Sequence, residues 1–267
     1  LPDADAAGRA DLDLLAGAAR DAGALALTYF RRDPDRWMKE GNSVVTEADI
    51  AVDDFLRERL VSSRPDHGWI SEESEDNATR LGCARVFVVD PIDGTRAFVD
   101  GRPDWTVSLA IAEAGRPVAA ALFAPVHDEL FLASAGAGAS LNGAPIAPSR
   151  HKGLKGALIA GSKNVISDKA LAATGIRRAG FIPSLAYRLA LVGDGRIDGA
   201  AARPDAYDWD LAAADLIVHE AGGLMTDIDG RQIRYNERRL RHPALVAAAA
   251  GVHEALRQRI ASSVRHR

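Results

Sequence analysis

"RVFVVDPIDGT", residues 85–95, is the stretch on which the reading turns. Val86 to Val89 form a continuous apolar run, as an interior strand buried on both faces requires. The run ends on Asp90, and Pro91, Ile92, Asp93, Gly94 and Thr95 follow at once. A carboxylate at the end of a buried strand stands where open α/β sheets hold their ligands. Pro91 stiffens the exit. Asp93 brings a second carboxylate back toward the first, and the turn aims the Ile92 carbonyl into the same space. Two carboxylates and a carbonyl form an all-oxygen set, which suits a hard cation such as Mg²⁺. Gly94 and Thr95 then expose backbone N–H groups, and a helix starting there would set an anion-binding terminus beside the cation. Taken alone, the hexapeptide leaves a second reading open: a proline turn with two solvated aspartates.

Working outward, residues 8–30 place Leu12, Leu15, Ala19, Ala22, Ala26 and Phe30 at helical spacing. Residues 47–62 repeat the pattern, with Thr46 and Asp49 as a helix entry. "WIS" at 69–71 reads as a short strand leading into the acidic run Glu72, Glu73, Glu75, Asp76. Residues 105–125 read as two strands joined at "EAGRP", and 129–146 as further strands with the turn "NG". After 147–153 the texture changes. Short strand candidates at 156–162, 177–183 and 196–203 alternate with helical patterns near 165–174 and 183–195. "DWDLAAADLIVHEAGG", 208–223, is a helix closed by two glycines. A strand at 243–250 and a helix over 252–264 complete the chain. The fold class is mixed α/β (α+β), in two subdomains, 1–148 and 149–267. The second carries Asp210.

Composition narrows the function. The 267 residues hold 33 Lys and Arg against 37 Asp and Glu, a net charge of −4. Such a balance exerts no broad pull on nucleic acid or anionic lipid. The dense basic stretch "RQIRYNERRLRH", 231–242, reads as solvated surface. A single cysteine, Cys83, excludes an internal disulfide and makes a reducing cytoplasm the natural setting. No apolar run approaches the roughly 18 residues of a membrane helix. No basic segment followed by an apolar stretch opens the chain, so no signal peptide is expected.

Three other pieces have ordinary structural readings when taken singly. "SEES" at 71–74 suits a helix start or an acidic loop. Asp210, in the first turn of its helix, suits a dipole partner. "TEAD" at 46–49, with Lys39 upstream, suits a helix entry. In this order, Lys39, "TEAD", "SEES", "DPIDGT" and "WDLAAADLIVHEAGG" resemble the inositol monophosphatase superfamily over nearly the whole chain.

The resemblance implies a layered αβαβα sandwich, Mg²⁺-dependent and lithium-sensitive phosphomonoesterase activity, two or three Mg²⁺ per site, and a homodimer. It implies Glu72, Asp90, the Ile92 carbonyl, Asp93 and Asp210 as metal ligands, with Glu73 the neighbour that could be confused with Glu72. It implies Gly94 and Thr95 as the phosphate cradle. Asp49 resembles the residue that holds the Thr95 hydroxyl, so that Thr95 and Glu72 orient and deprotonate the attacking water. Lys39 matches a lysine near the metals.

Substrate choice is left among 3′-phosphoadenosine 5′-phosphate, inositol monophosphate and histidinol phosphate. Ser162, Lys163 and Arg203 are candidates for binding a second phosphate, and Arg203 tilts the choice toward the nucleotide. "GTRAFVDGRPDW", 94–105, is similar to histidinol phosphatases. No membrane or nucleic-acid partner is expected. The non-enzyme alternative implied by the family is a partner of RNA or transcription complexes, for which 231–242 would be the contact.

Overall fold

Alternation along one strand assigns the layers. The computed structural model describes residues 2–39, 44–162 and 169–265. Strands β1 (Arg36–Met38) and β2 (Val44–Thr46) pair as a small antiparallel ribbon. A seven-stranded sheet runs in the order β3 (Gly68–Ser71), β4 (Arg85–Asp93), β5 (Thr106–Glu113), β6 (Arg116–Ala124), β7 (Glu129–Ser134), β8 (Gly138–Leu141), β9 (Ala144–Pro145). A five-stranded sheet has β10 (Leu158–Gly161) between β11 (Arg177–Arg178) and β12 (Gly199–Ala202), followed by β14 (Leu245–Ala248) and β13 (Leu224–Asp227). The helices are α1 (Pro2–Tyr29), α2 (Glu47–Ser63), α3 (Thr95–Val99), α4 (Lys169–Ala172), α5 (Leu185–Gly193), α6 (Asp208–Glu220) and α7 (Ala250–Arg265).

Side chains on a strand alternate between faces. On β4, Phe87 and Val89 enter a core with Leu15, Ala19 and Ala22 of α1 and Val52, Leu56 and Leu60 of α2. Val86 and Val88 point the other way, to a core shared with Leu189 and Val192 of α5 and Leu211, Ala214 and Ile217 of α6. Ala200 and Leu245 of the second sheet close that middle core. The opposite face of the second sheet, Ile159, Ala201 and Val246, packs on Val252, Leu256 and Ile260 of α7. The layers therefore run helix, sheet, helix, sheet, helix, as the resemblance implied.

The small residues of α1 and α6 permit close approach. On α1, a Cβ added at Gly23 would lie 2.6 Å from two ring carbons of Phe123 and 2.9 Å from Pro125. In a free helix Gly→Ala gains about 1 kcal/mol. Here overpacking costs about 1–3 kcal/mol, so Gly23→Ala is expected to destabilise the chain, read as a lower midpoint in urea with an unchanged slope.

The structure corrects several readings. The strand does not end at Asp90 but runs through Asp93. The candidate at 177–183 shrinks to Arg177–Arg178, leaving Phe181 outside the sheet. β13 and the β1–β2 ribbon had no strong period to reveal them, being three or four residues long. The helical pattern near 165–174 lies partly outside the described residues.

Candidate active site

Residues three apart on a regular strand face opposite sides of a sheet. Asp90 and Asp93 escape this because β4 bulges between them. Asp90 pairs with Ser108 and Asp93 with Thr106, so one more step is taken on β4 than on β5. A bulge re-aims side chains and is a place where proline is tolerated in a strand. Asp90, Asp93 and Asp210 consequently each offer an oxygen, all within 4.8 Å of one another.

Each carboxylate is oriented by its own backbone partner. The Ile92 N–H donates to Asp90 Oδ1 at 3.0 Å. The Tyr207 N–H donates to Asp210 Oδ2 at 2.7 Å, in a capping box at the start of α6. Asp93 Oδ2 accepts from the Ser184 hydroxyl and, at 2.7 Å, from the Ala186 N–H in the first turn of α5. Asp90 Oδ2 is buried with no hydrogen-bond partner.

Crowding raises the proton affinity of these groups. Burial pushes Asp90 well above the usual carboxylate range, and the charges of Glu72, Asp93 and Asp210 add to it. Burial likewise raises Asp93. Asp210 is pushed up to about 7 by burial, then by Asp93. Burial raises Glu72 well above its ordinary value, with Asp210 the next cause. A divalent cation would reverse these effects. The donor set fits one: it is all oxygen, and the orphaned Asp90 oxygen is the kind of buried acceptor that needs a partner.

Glu72 lines the same cleft, beside Asp90, Asp93, Gly94, Thr95 and Asp210. It stands outside the compact trio but within its electrostatic reach. Its neighbour Glu73 is tied by an ion pair to Lys39, whose ammonium also donates to the Glu72 carbonyl at 3.2 Å. The two glutamates thus have separate environments, which the sequence alone left open.

Thr46 explains the position of Asp49. Its N–H and hydroxyl donate to Asp49 Oδ2 at 2.8 and 2.6 Å, capping α2. Asp49 Oδ1 is then left to face Thr95, whose hydroxyl lies 3.1 Å from it and 3.1 Å from the Ile92 carbonyl. Gly94, at φ 94°, lets the chain turn from the bulge into α3. An added Cβ there would also come within 3.2 Å of the Asp104 carbonyl oxygen and the Ser184 nitrogen.

The proposed second-phosphate residues do not gather here. Arg203 is exposed, and neither it nor the half-buried Ser162 lines the cleft among the described residues. Lys163 lies outside the described residues. Sequence reasoning missed Ser184 and Arg188. The first could have been found as a helix cap before an apolar run. The second is a buried arginine on α5, whose neighbouring charges include Asp93, Arg203 and Asp210 and whose Nε has no partner. Its environment is set by tertiary packing, which no local signal carries.

Buried carboxylates at a bulged strand, facing a threonine held by an aspartate, on a five-layer sandwich, mark the class of metal-dependent phosphomonoesterases. The inositol monophosphatase family model matches residues 10–266, and the chain belongs to that family. The Rhizobium meliloti inositol-1-monophosphatase is 36% identical over 202 residues, 70% of this chain and 73% of that protein. The Escherichia coli K12 Nus factor SuhB is 34% identical over 237 residues, 82% of this chain and 85% of that protein. Among solved structures, the Thermotoga maritima IMPase superposes with a TM-score of 0.84 at 28% identity, covering 97% of this chain and 98% of that one. The fold expectation and the phosphatase class are both met. The relatives carry inositol phosphatase and SuhB names, and the nucleotidase branch has no specific support among them.

Proposed function

We propose that the chain hydrolyses the phosphate monoester of a small metabolite with Mg²⁺ and a water deprotonated by its own residues. The observation that carries this reading is the convergence of Asp90, Asp93 and Asp210, with an unpartnered oxygen on Asp90, beside the Thr95–Asp49 pair. Asp90, Asp93, Asp210, Glu72 and the Ile92 carbonyl would hold two or three Mg²⁺. When bound, the metal lowers the pKa of water and offsets charge on the phosphate. Asp49 fixes the Thr95 hydroxyl, which orients the attacking water. Glu72, which lines the cleft beside Asp90 and Thr95, takes its proton. The backbone N–H groups of Gly94 and Thr95 receive the phosphate. In-line attack releases inorganic phosphate and the alcohol without a covalent enzyme intermediate.

The name of the Rhizobium meliloti relative favours inositol monophosphate as substrate. 3′-Phosphoadenosine 5′-phosphate stays a second candidate on the sequence resemblance alone, since the exposed Arg203 does not line the cleft. Histidinol phosphate is the third candidate. The division at 148/149 leaves the seven-stranded sheet on one side and the five-stranded sheet on the other. A cytoplasmic homodimer completes the proposal. Phosphate release with Mg²⁺ from the three esters, each with and without Li⁺, tests it: no release from any would end the enzymatic reading. Thr95→Ala is expected to lower kcat by about 10²-fold, while Mg²⁺ affinity by titration calorimetry changes little.

A binding role has one supporting observation, the Nus factor name of the SuhB relatives. The 231–242 stretch is a weak vehicle for it. Arg231 pairs with Asp229, Arg234 with Glu237, and Arg239 and Arg241 with Asp205. Tyr235 and His242 are buried against Asp215 and Asp208. RNA binding that steepens at low salt would support the role.

A further inference from the structure

The mouth of the cleft has a character unlike its floor. Phe181 lines it and, at 64% exposure, is the most exposed large apolar side chain among the described residues. One face of its ring is covered by the Arg102 guanidinium, 5.5 Å from the centroid. Arg102 is fixed in turn: it donates to the Phe181 carbonyl at 3.2 Å and to Asp104 at 3.4 Å. Across Arg96 and Asp100, which border both hollows, lies a second pocket lined by Trp37 and Met38. These are the next most exposed large apolar residues, at 46% and 54%. Phe181 therefore belongs to the cleft that holds Asp90, Asp93 and Asp210, and Trp37 and Met38 to the hollow beside it.

A phosphate seated against Gly94 and Thr95 would carry its alcohol outward, over this rim. A polyol ring has no π face of its own and would offer the Phe181 ring only C–H contacts. A planar heterocycle would stack on Phe181 and complete a sandwich whose other side is already Arg102. Arg96 and Arg102 would complement the charge of an anionic ester. We infer that Phe181, braced by Arg102, is a specificity subsite for the alcohol half of the substrate, and that this alcohol carries a planar aromatic ring. The inference rests on the phosphomonoesterase reading and names its substrate class. A purine nucleotide and a phosphorylated imidazole alcohol share the required chemistry.

The test uses the full chain with Mg²⁺ and three esters: 3′-phosphoadenosine 5′-phosphate, histidinol phosphate and inositol 1-phosphate. Phe181→Ala is expected to raise KM for the preferred aromatic ester about tenfold or more, with kcat nearly unchanged. Inositol 1-phosphate kinetics should not move, and Phe181→Tyr should restore the wild-type KM. Whichever aromatic ester responds identifies purine or imidazole as the ring. Equal shifts on all three esters, no shift on any, or a wild-type preference for inositol 1-phosphate would overturn the subsite while leaving the phosphatase intact. No phosphate release by wild type from any ester would overturn the phosphatase reading, and the subsite with it. Sedimentation of wild type and Phe181→Ala is run alongside, and a changed oligomeric state would mark Phe181 as an interface residue and overturn the subsite.

Discussion

Asp93→Asn is expected to lower Mg²⁺-dependent turnover by about 10³-fold and to leave the fold intact. Asp93 Oδ2 receives two donors, the Ser184 hydroxyl and the Ala186 N–H. Its other oxygen is left for a cation. An amide cannot serve both sides. With its oxygen toward Ser184 and Ala186, its NH₂ faces the cation and repels it. Turned over, the NH₂ meets two donors and the cap on α5 is lost. The first arrangement keeps the helix, so circular dichroism and the unfolding midpoint should stay close to wild type. Phosphate release against Mg²⁺ concentration is the measurement, and full activity in this variant would remove Asp93 from the metal site.

The second large effect is on stability. Mg²⁺ should stabilise the chain more at pH 8 than at pH 5.5. The sign follows from the direction of the shifts. Burial raises Asp90, Asp93 and Asp210, the last to about 7. An acid whose folded pKa is raised binds its proton more tightly in the native state. Its contribution is full below the unfolded value, near 4, and is lost as pH climbs through the folded value. The metal-free chain therefore loses stability between about pH 4 and 8. Protons also compete with metal for the same oxygens. At pH 8 a hundredfold excess of Mg²⁺ over its Kd should add about 2.7 kcal/mol, or about 5–10 °C in Tm. Scanning calorimetry in EDTA and in Mg²⁺ at both pH values decides it. A larger gain at pH 5.5 would mean that these carboxylates are not the ligands.

Much of the frame was readable before any coordinates. β4 is a continuous apolar run and α6 an apolar, Ala-rich helix, and both are buried along nearly their whole length, as such runs require. The Thr46–Asp49 helix entry is a local device, and it appears as a capping box. What stayed hidden is what distant partners create. The bulge that brings Asp93 onto the side of Asp90 depends on the pairing of β4 with β5. Glu72 and Glu73 are adjacent and chemically alike, and only Lys39 folding back onto Glu73 separates them. Phe181 sits in a stretch that reads as strand, yet the sheet takes only Arg177 and Arg178. Two-residue strands have no period to detect, and an exposed aromatic does not announce itself in a hydrophobicity pattern.

The clasp on Asp93 also bears on how the protein comes into being. Chains emerge from the ribosome N-terminus first. Asp90 and Asp93 are then made long before Ser184, which lies 91 residues beyond Asp93. Asp210 comes later still. An unfinished chain could bury its first sheet against α1 and α2 and still lack the groups that hold Asp93 in place. Hydrolysis would begin only once the last layers have docked, so a truncated or half-folded product would be silent rather than poorly selective. For a phosphatase acting among many soluble esters, that timing keeps incomplete copies from spending the cell's phosphorylated metabolites.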